Sequence, residues 1–146
     1  MPLLNTITTP YAEAFLQVAE SRNEVDQIVD QSKSLLELWD QSPEFSDAMS
    51  SPVLEIESKK KVLEKIFAKE VSPSLMNLLK LLADRQRIGY LNSVLERLLE
   101  LYREQRNIAL ATVTSASSLN EDQQLEILKT VQALAGTDNL ELDLQV

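Results

Sequence analysis

The sequence predicts a mainly α-helical fold: six helical segments up to about residue 105, then a small, incomplete α+β piece over residues 106–146. Three observations carry this expectation. Apolar residues recur at helical spacing through the first hundred residues. Ser-Pro and Thr-Pro pairs at 9–10, 42–43, 51–52 and 72–73 punctuate that pattern, as proline at a first helical turn does. After Asn107 the pattern changes to a short β-branched run and then to strict alternation.

The first helix is expected from Thr9-Pro10 to Glu20, with Thr9 as cap and Pro10 as first helical residue. The second opens on Ser21-Arg22-Asn23-Glu24, which reads as a capping box, and runs to about Asp40. Its apolar set is Val25, Ile28, Val29, Leu35, Leu36 and Trp39. Ser42-Pro43 opens a short third helix, Glu44 to Met49. Ser51-Pro52 makes a turn before a fourth, from about Glu55 to Ala68. Ser72-Pro73 caps a fifth, to about Arg87. Ile88-Gly89 breaks the period, and a sixth helix continues to about Gln105.

Beyond that point, residues 108–114 are short, β-branched and uncharged, which suits a strand. Ser118-Leu119-Asn120-Glu121 reads as a capping box for a helix carrying Leu125, Ile127, Leu128, Val131 and Leu134, stopped by Gly136. Residues 140–146 alternate strictly and predict a second strand. Two strands and one helix are marginal alone. The chain ends inside a strand whose apolar face needs cover, so the natural protein is expected to continue past Val146.

Composition narrows the function. The 146 residues carry 14 Lys+Arg and 23 Asp+Glu, a net charge of −9, with 44% hydrophobic and 25% charged residues. That is an ordinary globular balance. With no His and no Cys, imidazole-based acid–base work, Ser-His-Asp and Cys-His nucleophiles, and thiolate or imidazole metal sites are excluded. Neither of the 2 glycines lies in a phosphate-cradling motif. The acidic charge argues against a nucleic-acid binder. No apolar run is long enough to span a membrane, and residues 1–5 resemble no signal or transit peptide. No cofactor and no metal are expected.

Two helices carry apolar arcs wider than a single buried face requires. An ordinary surface helix shows a stripe a little over 100° wide. Ile56, Val62, Leu63, Ile66 and Phe67 of the fourth helix fit roughly 140°. On the first helix, Ile7, Tyr11, Ala12, Ala14, Phe15, Leu16, Val18 and Ala19 cover roughly 200°. On the fifth, Leu75, Met76, Leu78, Leu79, Leu81, Leu82 and Ala83 span roughly 220°. Either both helices are buried on two sides, or part of each arc lines a groove for an apolar partner helix.

Charged groups have bland readings. Lys59-Lys60-Lys61 point in three directions and suit a solvated face. Asp84-Arg85-Gln86-Arg87 ends the fifth helix, where arginine complements the dipole. Glu96, Glu100 and Glu104 share one side of the sixth helix with Arg97 and Arg103 nearby, again a solvated face. Trp39 reads as a core plug.

Several segments are similar to one family. Thr9-Pro-Tyr-Ala-Glu-Ala-Phe-Leu-Gln-Val-Ala19, with its Tyr-Ala-x-Ala-Phe core, resembles the opening helix of the delta (OSCP) subunits of F-type ATP synthases. Ser51-Pro52 with Lys59-Lys60-Lys61-Val62-Leu63 and Ile66-Phe67 resembles the same family. So do residues 77–87, Tyr102-Arg103-Glu104, and 111–116 with Leu119. The likeness runs from about residue 6 to the end, and residues 82–88 are most similar to cyanobacterial and plastid members.

The resemblance implies an N-terminal six-helix bundle over 1–105, binding the F1 head, and a partial C-terminal strand–helix–strand domain over 106–146 on the stalk-binding side. It implies a non-catalytic stator subunit, one copy per complex. The N-terminal helix of an alpha subunit would occupy a groove between the first and fifth helices. Ile7, Tyr11, Ala14, Val18, Asn77, Leu78, Leu81 and Arg85 are the expected contacts, with Phe15, Leu79 and Leu82 in the core. The C-terminal domain would hold b-type stalk subunits; the family's Gly-Gly signature would follow Val146. The implied location is the cytoplasmic or stromal-equivalent face of a thylakoid or plasma membrane, with no direct membrane insertion. The alternatives are an unrelated helical adaptor for an amphipathic partner helix, and a carboxylate-based enzyme or metal-dependent protein.

Overall fold

The computed structural model describes residues 2–106, 109–114, 118–135 and 140–145. Six α-helices come first: α1 (Pro2–Ser21), α2 (Val25–Gln41), α3 (Pro43–Ser50), α4 (Ile56–Phe67), α5 (Pro73–Asp84) and α6 (Leu91–Arg106), with a 3-10 turn at Ile88–Tyr90 before the last. Then come β1 (Ala109–Thr114), α7 (Glu121–Ala135) and β2 (Leu140–Gln145). The chain divides into two compact units, Met1–Leu101 and Tyr102–Val146. The fold is mainly α, as its periodicity predicts.

In the first unit, Ile28, Met49, Leu63, Leu75, Leu79, Leu82, Ile88, Leu91, Leu95 and Leu98 are fully buried. They come from every helix except α1, whose Ala12, Phe15, Leu16 and Ala19 join the same core. Trp39 is half-buried. It meets Phe45 edge-to-face at 5.8 Å, and Phe45 meets Phe67 likewise at 5.6 Å, a favoured arrangement for aromatic quadrupoles. Gly89 lets the 3-10 turn approach α3, since a Cβ there would lie 3.3 Å from Ser50 Cα.

Helix ends follow local chemistry. Ser42 Oγ accepts from Phe45 N–H and Ser72 Oγ from Leu75 N–H, each with proline at the first turn, as the Ser-Pro pairs predict. Three expectations are corrected. First, α1 begins at Pro2, so Thr9 is no cap and Pro10 lies inside the helix. Thr9 Oγ1 instead accepts from Arg97 Nε at 3.0 Å. Second, Ser21 to Glu24 form no capping box. Glu24 makes no side-chain cap bond, and Asn23 takes a left-handed conformation, φ 55°. Glu24 N–H reaches Ala19 C=O and Asn23 N–H reaches Glu20 C=O; this is a Schellman ending for α1. Third, the last capping box is two residues later than expected. Asn120 Oδ1 accepts from Gln123 N–H while Gln123 Oε1 accepts from Asn120 N–H. Asn120 competes well for the cap position and a Gln stands three residues on.

In the second unit β1 and β2 pair in parallel, from Ala109 opposite Leu140 to Thr114 opposite Gln145, with α7 between them in sequence. A parallel pair requires such a crossover. Leu125 and Leu134 of α7 are exposed. The expected helix stop at Gly136 and the expected strand ends at Ile108 and Val146 lie outside the described residues. Among the described residues, no helix is long and apolar enough to cross a membrane.

Candidate functional site

The helices α1 and α5 run antiparallel. At one end Arg22 Nη1 donates to Ser74 Oγ at 2.9 Å; at the other Arg87 Nη1 donates to Tyr11 Oη at 2.9 Å. Between these bridges the helices part, leaving a groove of about 530 Å³ lined by Pro10, Tyr11, Ala14, Phe15, Val18 and Arg22 from the α1 side and Ser74, Asn77, Leu78 and Leu81 from α5. Phe15 and Leu78, each 5% exposed, form its floor, whereas Val18 and Leu81 are 40% and 41% exposed on its walls. Tyr11 to Arg22 along α1 measures about 16 Å, three turns of a partner helix.

The lining follows helical rows. Positions 11, 14, 15, 18 and 22 on α1, and 74, 77, 78 and 81 on α5, are i, i+3, i+4, i+7 stripes. Six of the eight residues expected from sequence therefore come together: Tyr11, Ala14, Val18, Asn77, Leu78 and Leu81. Ile7 and Arg85 do not line the groove. Arg85 would continue the α5 row one turn past Leu81, but α5 ends at Asp84, and Arg85 is its exposed C-cap. Gln86 follows with φ 57°, and Arg87 N–H and Gln86 N–H close a Schellman ending on Leu82 and Ala83 carbonyls. Ile7 would continue the α1 row past Tyr11, where α5 has already stopped. Pro10, Phe15, Arg22 and Ser74 were missed as lining. Phe15, expected in the core, is buried there and also faces the groove. A search for apolar arcs passes over Arg22 and Ser74, but the same period read without regard to polarity includes them.

Tyr11 is held by two contacts, since the Arg87 guanidinium also lies over its ring, 5.7 Å from the centroid. Arg22 is the one charged residue in the lining.

Two ion pairs join α4 to α5. Lys60 of α4 meets Asp84 of α5 at 2.9 Å, and Lys80 of α5 meets Glu64 of α4 at 2.6 Å. The solvated reading of Lys59-Lys60-Lys61 is thus corrected for Lys60. The hydrogen bond from Lys80 holds the Glu64 carboxyl below the usual carboxylate range, and the hydrogen bond to Asp84 raises the Lys60 ammonium above its usual value. Desolvation pushes Glu96 up, aided by Asp40 and Glu100. Among the described residues, no group of three acidic side chains is placed to hold a metal ion. A larger concavity of about 850 Å³ beside residues 50–57 carries Glu55, Glu57, Lys59 and Asp84. Its polar rim contrasts with the apolar α1/α5 groove.

The family model for the ATP synthase delta (OSCP) subunit matches residues 7–146. The chain belongs to the delta (OSCP) family of ATP synthase subunits. It is 83% identical over all 146 residues to an ATP synthase subunit delta from Prochlorococcus marinus, covering 80% of that relative. To one from a Synechococcus species it is 56% identical, covering all of this chain and 81% of the relative. A solved structure of the Toxoplasma gondii mitochondrial ATP synthase hexamer contains a chain that superposes with a TM-score of 0.72 at 26% identity. That match covers 93% of this chain and 76% of that one. Members of this family are structural, non-catalytic subunits of the peripheral stalk.

Proposed function

We propose that this delta-family chain anchors the F1 head to the peripheral stalk by taking the N-terminal helix of an alpha subunit into the α1/α5 groove. In this reading the helical bundle to about residue 105 faces the head. Residues 106–146 belong to the side that holds b-type stalk subunits, one copy serving each complex on the cytoplasmic or stromal-equivalent face of its membrane. The single observation that carries it is the open apolar row on each helix, with Val18 and Leu81 left 40% and 41% exposed beside a buried floor.

The physical role is mechanical. A stator must resist torque, so its contact with the head must be long-lived. Apolar surface buried by the incoming helix contributes roughly 25 cal/mol per Å², set against the loss of rigid-body freedom on association. Asn77, exposed at the groove edge, offers both a donor and an acceptor to the partner's polar groups. Tyr11, Ala14, Val18, Leu78 and Leu81 supply the apolar contact.

The test is Tyr11→Asp in the full chain, with binding of an alpha N-terminal peptide from a cyanobacterial F1 measured by calorimetry. Affinity is expected to fall at least about a hundredfold, because a carboxylate would be desolvated in the groove, while helical circular dichroism persists. Unchanged affinity refutes the assignment.

A further inference from the structure

We infer that Arg22 reads a carboxylate on the partner helix and thereby fixes which way that helix lies in the groove. This rests on the α1/α5 groove being the docking site.

The argument is one of charge complementarity. The chain carries nine more acidic than basic residues, and three of its cations pair with carboxylates: Lys60 with Asp84 and Glu57, Lys80 with Glu64, Arg97 with Glu100. Arg22 does not. Among the described residues its hydrogen bond goes to the neutral hydroxyl of Ser74, and no carboxylate lies within ion-pair distance. Its sequence neighbours Glu20 and Glu24 are the obvious candidates. Neither reaches it, and Glu24 turns one carboxylate oxygen into the protein. Arg22 is itself exposed, so four of its five donors remain for a partner.

The groove is also electrically lopsided. At the opposite end the Arg87 guanidinium is bonded to the Tyr11 hydroxyl and stacked over its ring, and Arg87 is not among the residues that line the groove. Among the residues that line the groove, Arg22 is the one fork-shaped cation, beside apolar Val18. A planar guanidinium matches a carboxylate bidentately. An amphipathic helix with an acidic side chain at one end of its apolar stripe is bound one way round. Reversed, it leaves Arg22, the one charged residue of the lining, unmatched. Electrostatic complementarity of this kind fixes register and orientation more than raw affinity.

The experiment compares the alpha N-terminal peptide with the same peptide carrying every Asp and Glu as its amide, against wild-type chain, Arg22→Gln and Arg22→Lys. Arg22→Gln is expected to weaken the acidic peptide about tenfold and leave the amide peptide within about twofold. Arg22→Lys should restore part of the acidic preference. Raising salt should erode only the acidic peptide's advantage on the wild-type chain. Equal weakening of both peptides would reduce Arg22 to a strut between α1 and α5, and no weakening of either would remove it from the interface. Both outcomes overturn the inference and leave the groove standing. Failure of wild-type chain to bind either peptide sinks the groove, and the inference with it.

Discussion

The two flanks of α5 solve the same problem in opposite ways. Toward α4, the row of Lys80 and Asp84 meets Glu64 and Lys60 in cross-helix ion pairs, and Leu63, Leu79 and Leu82 beneath are fully buried. Toward α1, the row of Asn77, Leu78 and Leu81 meets a gap. The first flank is satisfied within the chain. The second leaves leucine surface in water, which a monomeric bundle has no reason to do across a continuous strip bridged at both ends. The lesson is that an over-wide apolar arc has two components, and only the neighbour on each side says which part is core.

Four outcomes would break or sharpen that contrast. The largest belongs to the sealed side: Leu79→Ala should cost about 3 kcal/mol of stability by opening a cavity. Urea unfolding followed by Trp39, the only tryptophan, reads the first unit directly. On the open side, Leu81→Ala should cost under about 1 kcal/mol, since its side chain is already 41% exposed. Yet it should weaken the alpha peptide about tenfold. A stability loss as large as that of Leu79 would mean the groove is merely a loosely packed core.

The third outcome concerns the ion pairs. Glu64 is held low by its hydrogen bond from Lys80, so its stabilising contribution is present above the ordinary carboxylate value and lost as pH falls through the depressed one. Lys80→Gln should let the Glu64 titration, followed by carbon NMR, return upward. An unmoved titration would show that Lys80 does not hold it. The smallest effect is expected at Glu96, raised mainly by desolvation. A raised carboxyl binds its proton more tightly when folded, so stability falls as pH climbs from the ordinary value through the raised one. Glu96→Gln should therefore stabilise by about 0.3 kcal/mol near neutrality, because the side chain is largely solvent-screened, and the gain should vanish in acid. A loss of stability at neutral pH would contradict this.

Much of the fold was legible because each helix buries an amphipathic face and stops at chemistry written beside it. Ser42-Pro43 and Ser72-Pro73 cap as they read. Alternation at 140–145 forms a strand, β2. The groove was legible in its apolar members, whose excess over a single buried arc could be counted along α1 and α5. Arg22 and Ser74 were not. Ser21-Arg22-Asn23-Glu24 satisfies a capping-box pattern, yet Asn23 adopts the left-handed conformation and ends α1 instead. That choice carries Arg22 onto the α1 row rather than into the next helix. Likewise, Arg85 sits at the right spacing and leaves the row because Gln86 turns the chain.

What the sequence determined by itself is the periodic part: helix number, the surplus of apolar residues on α1 and α5, and the switch to strand–helix–strand. Those follow from local rules, since hydrophobic spacing and capping act over a few residues. Only the tertiary structure decided where the surplus goes. Whether Leu81 or Leu79 is covered, and whether Arg22 meets Ser74 or a carboxylate, depends on which helix lies alongside, and packing between residues fifty positions apart is not encoded in the period of either one.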